Sequence, residues 1–121
     1  MVEVIKVLDD VTATTTSSAV SIEGAKKVVL VYKRSNHASG KTVFSATVSV
    51  DGANYITYNK WISNVANTNE QGETRVASVD TGTANATGFL TMDPNDGFKD
   101  IKVTATETTD GTHAAWLLIE Y

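Results

Sequence analysis

The sequence predicts an all-β protein, a single antiparallel β-sandwich that is jelly-roll-like and has about eight strands. Three observations point there. Short runs rich in Val, Thr and Ile alternate apolar and polar residues with period two. Turn signals, Asp-Gly above all, recur about every 8–12 residues. No segment carries the 3.6-residue apolar spacing of an amphipathic helix. The 121 residues suffice for one domain, 1–121, and for a core without staples.

The first run, VEVIKVL (2–8), is β-branched and stops at Asp9-Asp10. Residues 1–10 read as an extra strand or as an N-terminal arm. The arm is favoured. It would pair with a neighbouring subunit through Val2, Val4, Ile5 and Val7, because an unpaired apolar edge invites aggregation. VTATTTSSAVSIEGA (11–25) alternates loosely and reads as an irregular strand and a short one, ended by Gly24. KKVVLVYKRS (26–35) is a near-continuous apolar run, as in a central strand buried on both faces, with its lysines and Arg34 at ends that reach water. SNHASGK (35–41) is a loop.

TVFSATVSV (42–50) alternates most cleanly, with Phe44, Ala46, Val48 and Val50 assigned to the core face. Asp51-Gly52 then predicts a type I′ hairpin into NYITY, since that turn needs φ > 0 at both central positions. Residues 59–73 read as a long loop with a turn of helix near Trp61. TRVASVD (74–80) and GFLTMD (88–93) are short strands, separated by a Gly/Thr/Asn loop (81–87). PNDGFKD (94–100) is dense in turn residues. IKVTATETT (101–109) alternates, Asp110-Gly111 turns, and THAAWLLIEY (112–121) closes the chain as a strand apolar on both faces.

Composition narrows the function classes. There is no cysteine, which excludes disulfides, thiolate zinc sites and cysteine catalysis. The net charge of -4 lacks the basic excess of a nucleic-acid binder. The first residues lack the pattern of a signal peptide, and no apolar run approaches bilayer length, so a soluble protein made in the cytoplasm is expected, with no membrane partner.

Each candidate for chemistry has a structural counterpart. Asp51 reads as a hairpin corner, and Asp110-Gly111 repeats its context. Asp93, Asp96 and Asp100 could supply calcium oxygens, but the EF-hand spacing is missing. His37 and His113 would need partners to bind a metal or drive a Ser-His-Asp hydrolase; they read instead as solvent-facing. Tyr55, Tyr58 and Trp61 read as a sugar-binding platform, as interface anchors or as a plug closing the sandwich. Trp116 reads as core or as a buried subunit contact. Asn85-Ala86-Thr87 is a glycosylation sequon by pattern alone. No cofactor and no metal are expected, and no catalytic set emerges.

The succession VLDDVTATTTSSAVSIEGAKKVVLVYKRSNHASGKTVFSATVSVDGANY, followed by FKDIKVTATETTDGTHAAWLLIEY, resembles small β-sandwich virion structural proteins of tailed bacteriophages, head decoration or other virion-associated proteins. The likeness rests on the His-x-x-Gly loop (37–40), the SVDG hairpin and the closing TDGTHAAWLLIEY. It implies a non-enzymatic capsid decoration protein of the virion. Such a protein would bind the major capsid protein or another virion protein at symmetry-related sites as a homo-oligomer, a trimer being favoured. The alternative is a carbohydrate- or surface-binding module built on the loop aromatics.

Overall fold

The computed structural model describes residues 1–63 and 74–121. Among them there are twelve strands and no helix. In chain order they are β1 (Val2–Val11), β2 (Thr15–Thr16), β3 (Val20–Ser21), β4 (Lys27–Ser35), β5 (Thr42–Ser49), β6 (Ile56–Thr57), β7 (Trp61–Ser63), β8 (Thr74–Val76), β9 (Ser78–Asp80), β10 (Ala86–Thr91), β11 (Asp100–Glu107) and β12 (Thr112–Glu120). They form two antiparallel sheets. The first has the order β1-β12-β4-β10-β7-β8. The second has the order β2-β11-β5-β6, with β3 also on β11 and β9 also on β5.

The count exceeds the expected eight because irregular stretches break into pieces. Beyond Val11, which ends β1, residues 12–25 give only the two-residue β2 and β3. Residues 74–80 divide at Ala77, so that β8 pairs with β7 in the first sheet and β9 with β5 in the second. Around Trp61 the expected helical turn is a strand, because Trp61 lies across from Val76 in a ladder. The rest of that expected loop, 64–73, lies outside the described residues.

The core fills the space between the sheets. Leu30, Leu90, Leu117 and Ile119 of the first sheet face Phe44, Val48, Ile101 and Val103 of the second, all fully buried. Each such side chain stabilises by roughly 1.5–3 kcal/mol relative to exposure. Tyr32 and Phe44 stack across the layers with ring centroids 5.2 Å apart. Phe44, Ala46 and Val48 take the inward positions that period two assigns them. Val50 does not: it lies past the end of β5, 74% exposed.

Two further expectations are corrected. Residues 2–11 are not a free arm: β1 runs antiparallel to β12 of its own chain, from Val2 opposite Glu120 to Val11 opposite His113. The core stripe Leu117, Ile119 on β12 needs a neighbour on that side, and Ile5 and Leu8 supply it. Arg34 does not reach water. Strict alternation along β4 turns it inward with Val28, Leu30 and Tyr32, and it is buried.

The Asp-Gly turns are wider than type I′ hairpins. Gly52 and Gly111 have positive φ, 79° and 132°, but the aspartates preceding them do not. Asp51 instead organises a longer connection from β5 to β6. Its carboxylate accepts from the backbone N–H groups of Ala53 and Asn54 at 2.9 and 2.8 Å, from Asn54 Nδ2 at 2.7 Å and from Ser49 Oγ at 2.8 Å. Those donors hold it ionised, well below the usual carboxylate range, with the Asn54 N–H first.

Candidate functional site

The aromatic group predicted around the first hairpin is drawn inward. Trp61 and Tyr58 are buried, and their rings meet edge to face at 5.0 Å. Phe98 packs on the other side of Tyr58 at 5.8 Å. The Tyr58 hydroxyl donates to Asp96 Oδ2 at 2.8 Å and accepts from the Asp93 N–H at 3.0 Å. Burial and the Asp96 carboxylate push that phenol above its ordinary value. Tyr55 is separate and half-buried, with Lys102 Nζ 4.3 Å from its ring centroid. The three side chains therefore make no flat sugar platform; two of them plug one end of the sandwich.

The Asp93–Asp100 loop is held by its own bonds. Asp93 accepts from the Asn95 N–H at 2.9 Å and stands 3.4 Å from Arg75. Asp96 caps Tyr58. Among the described residues no group of three or more His, Asp or Glu converges as a metal site. In the sequon, Asn85 accepts from the His37 N–H at 2.9 Å.

The opposite end holds a buried polar cluster that sequence reading missed. Arg34 Nη1 donates to the carbonyls of Gly40 and Gly82 at 3.0 and 3.1 Å, and Nη2 donates to those of Ser39 and Asp110. Beside it lies His113, fully buried and not solvent-facing as expected. Thr42 Oγ1 is 3.3 Å from its Nδ1, and Glu107 Oε1 is 3.5 Å from its Nε2. Hydroxyl, imidazole and carboxylate thus line up as in a hydrolase, but Thr42 and His113 are sealed from solvent, so no substrate carbonyl reaches the hydroxyl. The cluster ties loops together. His37, the other candidate, is half-buried in one of the loops so held.

The two outer faces differ in kind. That of the second sheet is polar. Ser45 lies opposite Thr104 and Thr47 opposite Lys102, and Thr16 and Thr104 share a hydrogen bond of 2.9 Å. That of the first sheet is apolar across four strands. Val4, Leu118 and Val29 form one row, completed by Thr91. Lys6, Trp116, Val31 and Phe89 form the next. Phe89 is 51% exposed and Val4 64%, while Trp116, Leu118, Val29 and Val31 are half-buried. Lys6 Nζ lies 5.3 Å from the Trp116 ring centroid. At one corner, Lys26, Lys27, Arg75 and Ile62 border a cleft of about 340 Å³. The apolar side chains are therefore aligned on the outer side of the sheet, where solvated antiparallel faces are commonly polar. The sequence signal was visible: strands β4 and β12, apolar on both faces, read as central, yet among the described residues no second layer covers their outer side. Compared with known proteins, the chain matches no family model, no curated protein and no solved structure.

Proposed function

We propose that this protein is a virion structural protein of a tailed bacteriophage that decorates and stabilises the capsid shell. The observation that carries the reading is the apolar outer face of the first sheet, with Val4, Leu118, Val29, Trp116, Val31 and Phe89 in register. It is the docking face for the major capsid protein or another virion protein at symmetry-related sites. The contact acts mechanically. Each 1.4 kcal/mol or so it adds between shell subunits shifts their local separation equilibrium about tenfold, repeated over the lattice. No catalytic step is part of this role.

The strand order supports it by analogy of fold. Count β2 with β3 as one strand and β6 with β9 as another, and set the β7–β8 hairpin aside. Eight strands remain. The first lies beside the eighth, then the third, then the sixth; the second lies beside the seventh, then the fourth, then the fifth. We read that order as a jelly-roll arrangement, an architecture of many viral shells. Fold analogy alone assigns no function, so the exposed face bears the weight. The carbohydrate-binding alternative loses its platform with the burial of Tyr58 and Trp61.

The test is electron microscopy of purified particles together with binding of the isolated protein to particles lacking it. Ordered density on the shell is expected, and Phe89→Asp is expected to abolish rebinding while thermal unfolding stays unchanged. Absence of the chain from particles overturns the reading.

A further inference from the structure

We propose that two copies of this chain pair edge to edge through the first half of β1, antiparallel about a two-fold axis centred on Val4. The inference goes beyond the virion reading and stands without it. Among the described residues β1 ends the first sheet, so one side of its backbone has no described strand beside it. An open edge is usually blunted, and here the backbone is irregular only in the second half. Register breaks fall between Lys6 and Leu8 and between Leu8 and Val11. Asp10 has φ 50°, and Lys6 pairs with Asp9 and Asp10 at 3.0 and 3.5 Å. From Val2 to Lys6 the ladder to β12 is unbroken, and the edge carries two exposed valines, 55% and 64% open.

The backbone polarity selects a register. The Tyr121 N–H donates to the Met1 carbonyl at 2.9 Å, so Met1 turns its peptide groups toward β12. Antiparallel pairing alternates. Glu3 and Ile5 therefore also face β12, and Val2, Val4 and Lys6 present N–H and C=O to the open side. For the outer faces of two copies to join, residues opposite each other must share a face. A pair centred on Glu3 sets two glutamates in opposition, and one centred on Lys6 sets two lysines; both repel. Centring on Ile5 draws the break at Leu8 into the ladder. Centring on Val4 opposes Val4 to Val4 and Val2 to Lys6 of the second copy, with no like charges facing. Every open peptide group from Val2 to Lys6 then finds a partner. The interface is isologous and uses one surface twice, whereas a trimer would require two unlike surfaces. The pairing joins the rows of Val4, Leu118 and Trp116 from both copies into one apolar face.

Sedimentation of the isolated protein tests this, with cross-linking to fix the register. A species of twice the 12.9 kDa chain mass is expected. Val4→Pro removes an N–H that serves only the open edge, and Val4→Lys opposes two charges. Both are expected to give monomers with unchanged circular dichroism. The chain has no cysteine, so Val4→Cys reports cleanly. The two Cα atoms would stand about 5.5 Å apart, within disulfide reach, and oxidation is expected to lock the dimer. Lys6→Cys pairs, roughly 13 Å apart at four residue rises, are expected not to cross-link. A monomer at all concentrations, a trimer, or equal cross-linking at both positions overturns the proposal.

Discussion

Arg34 and Asp110 meet through two groups at once: Arg34 Nη2 donates to the Asp110 backbone carbonyl, and the Asp110 carboxylate stands 3.8 Å from the same nitrogen. That carboxylate accepts from the N–H groups of Ser39 and Ala38, both at 3.1 Å, which are first among the causes that hold it below the usual range. One buried guanidinium therefore fastens the 36–41 loop, Gly82 and the β11–β12 turn to one another.

Replacing Arg34 by Met leaves four loop carbonyls without their donor. Hydrogen bonds to charged groups contribute about 1.5–3 kcal/mol each, not additively. A loss of about 3–5 kcal/mol is expected for Arg34→Met, read from the denaturant midpoint. Arg34→Lys is expected to recover little, because a single ammonium cannot span the four carbonyls that the planar fork reaches. Equal stability of wild type and Arg34→Met would refute the pinning role.

Tyr58 and Trp61 separate the structural plug from the sugar platform. Trp61→Ala is expected to cost about 3–5 kcal/mol, as for large buried aromatics. Tyr58→Phe keeps the edge-to-face contacts and loses only the bonds to Asp93 and Asp96, at about 1–2 kcal/mol. Thermal unfolding of both variants checks the order. Glycan-array binding by the wild type that vanishes in a still-folded Trp61→Ala would restore the platform.

What the sequence made legible follows from what period two encodes. Phe44, Ala46 and Val48, or Ile101, Val103 and Ala105, name their face by alternation alone, and the structure buries all six. Residues 26–35 read as a run apolar on both faces, and Arg34 was assigned to an end where its head reaches water. The four carbonyls that offset the cost of burying its charge come from residues 39, 40, 82 and 110, which no local pattern joins. The same limit hid Thr42–His113–Glu107. The apolar outer face was read as a buried one because a single sequence shows that a side chain is apolar and not which layer, or which other molecule, covers it.

Gly88 lies opposite Tyr32 in the β10–β4 ladder, and a Cβ added there would sit 2.7 Å from Tyr32 Cζ. Gly88→Ala therefore forces the Tyr32 ring to shift, and Phe44 packs on that ring with centroids 5.2 Å apart. A cost of about 1–3 kcal/mol is expected for this overpacking. In a Tyr32→Leu background the same change is expected to cost clearly less, so that a double-mutant cycle gives a non-zero coupling. Additive costs would show that the strand backbone, and not the ring, carries the strain.

His113 gives the fold a pH dependence whose sign is fixed by its surroundings. Burial is the main cause pushing its imidazole below the ordinary value of 6.5, and the Arg34 charge adds to it. Glu107, from β11, opposes the shift without reversing it. Thr42 on β5 and the Phe44 ring, 6.3 Å away, complete the surroundings and carry no charge. The unfolded chain thus takes up this proton near pH 6.5 and the folded chain only at lower pH. Between those two values the unfolded state holds more protons. The contribution is then fully present above about pH 6.5, declines as pH falls through the window, and levels off once the folded imidazole is protonated. Asp51, Asp80 and Asp110, all held below the carboxylate range, lose their contributions in a separate window that opens only near pH 4. Melting temperatures recorded from pH 8 to pH 5 are expected to drop for the wild type and to stay nearly level for His113→Gln, which retains His37. A flat wild-type profile, or an equal drop in the variant, would assign the dependence elsewhere.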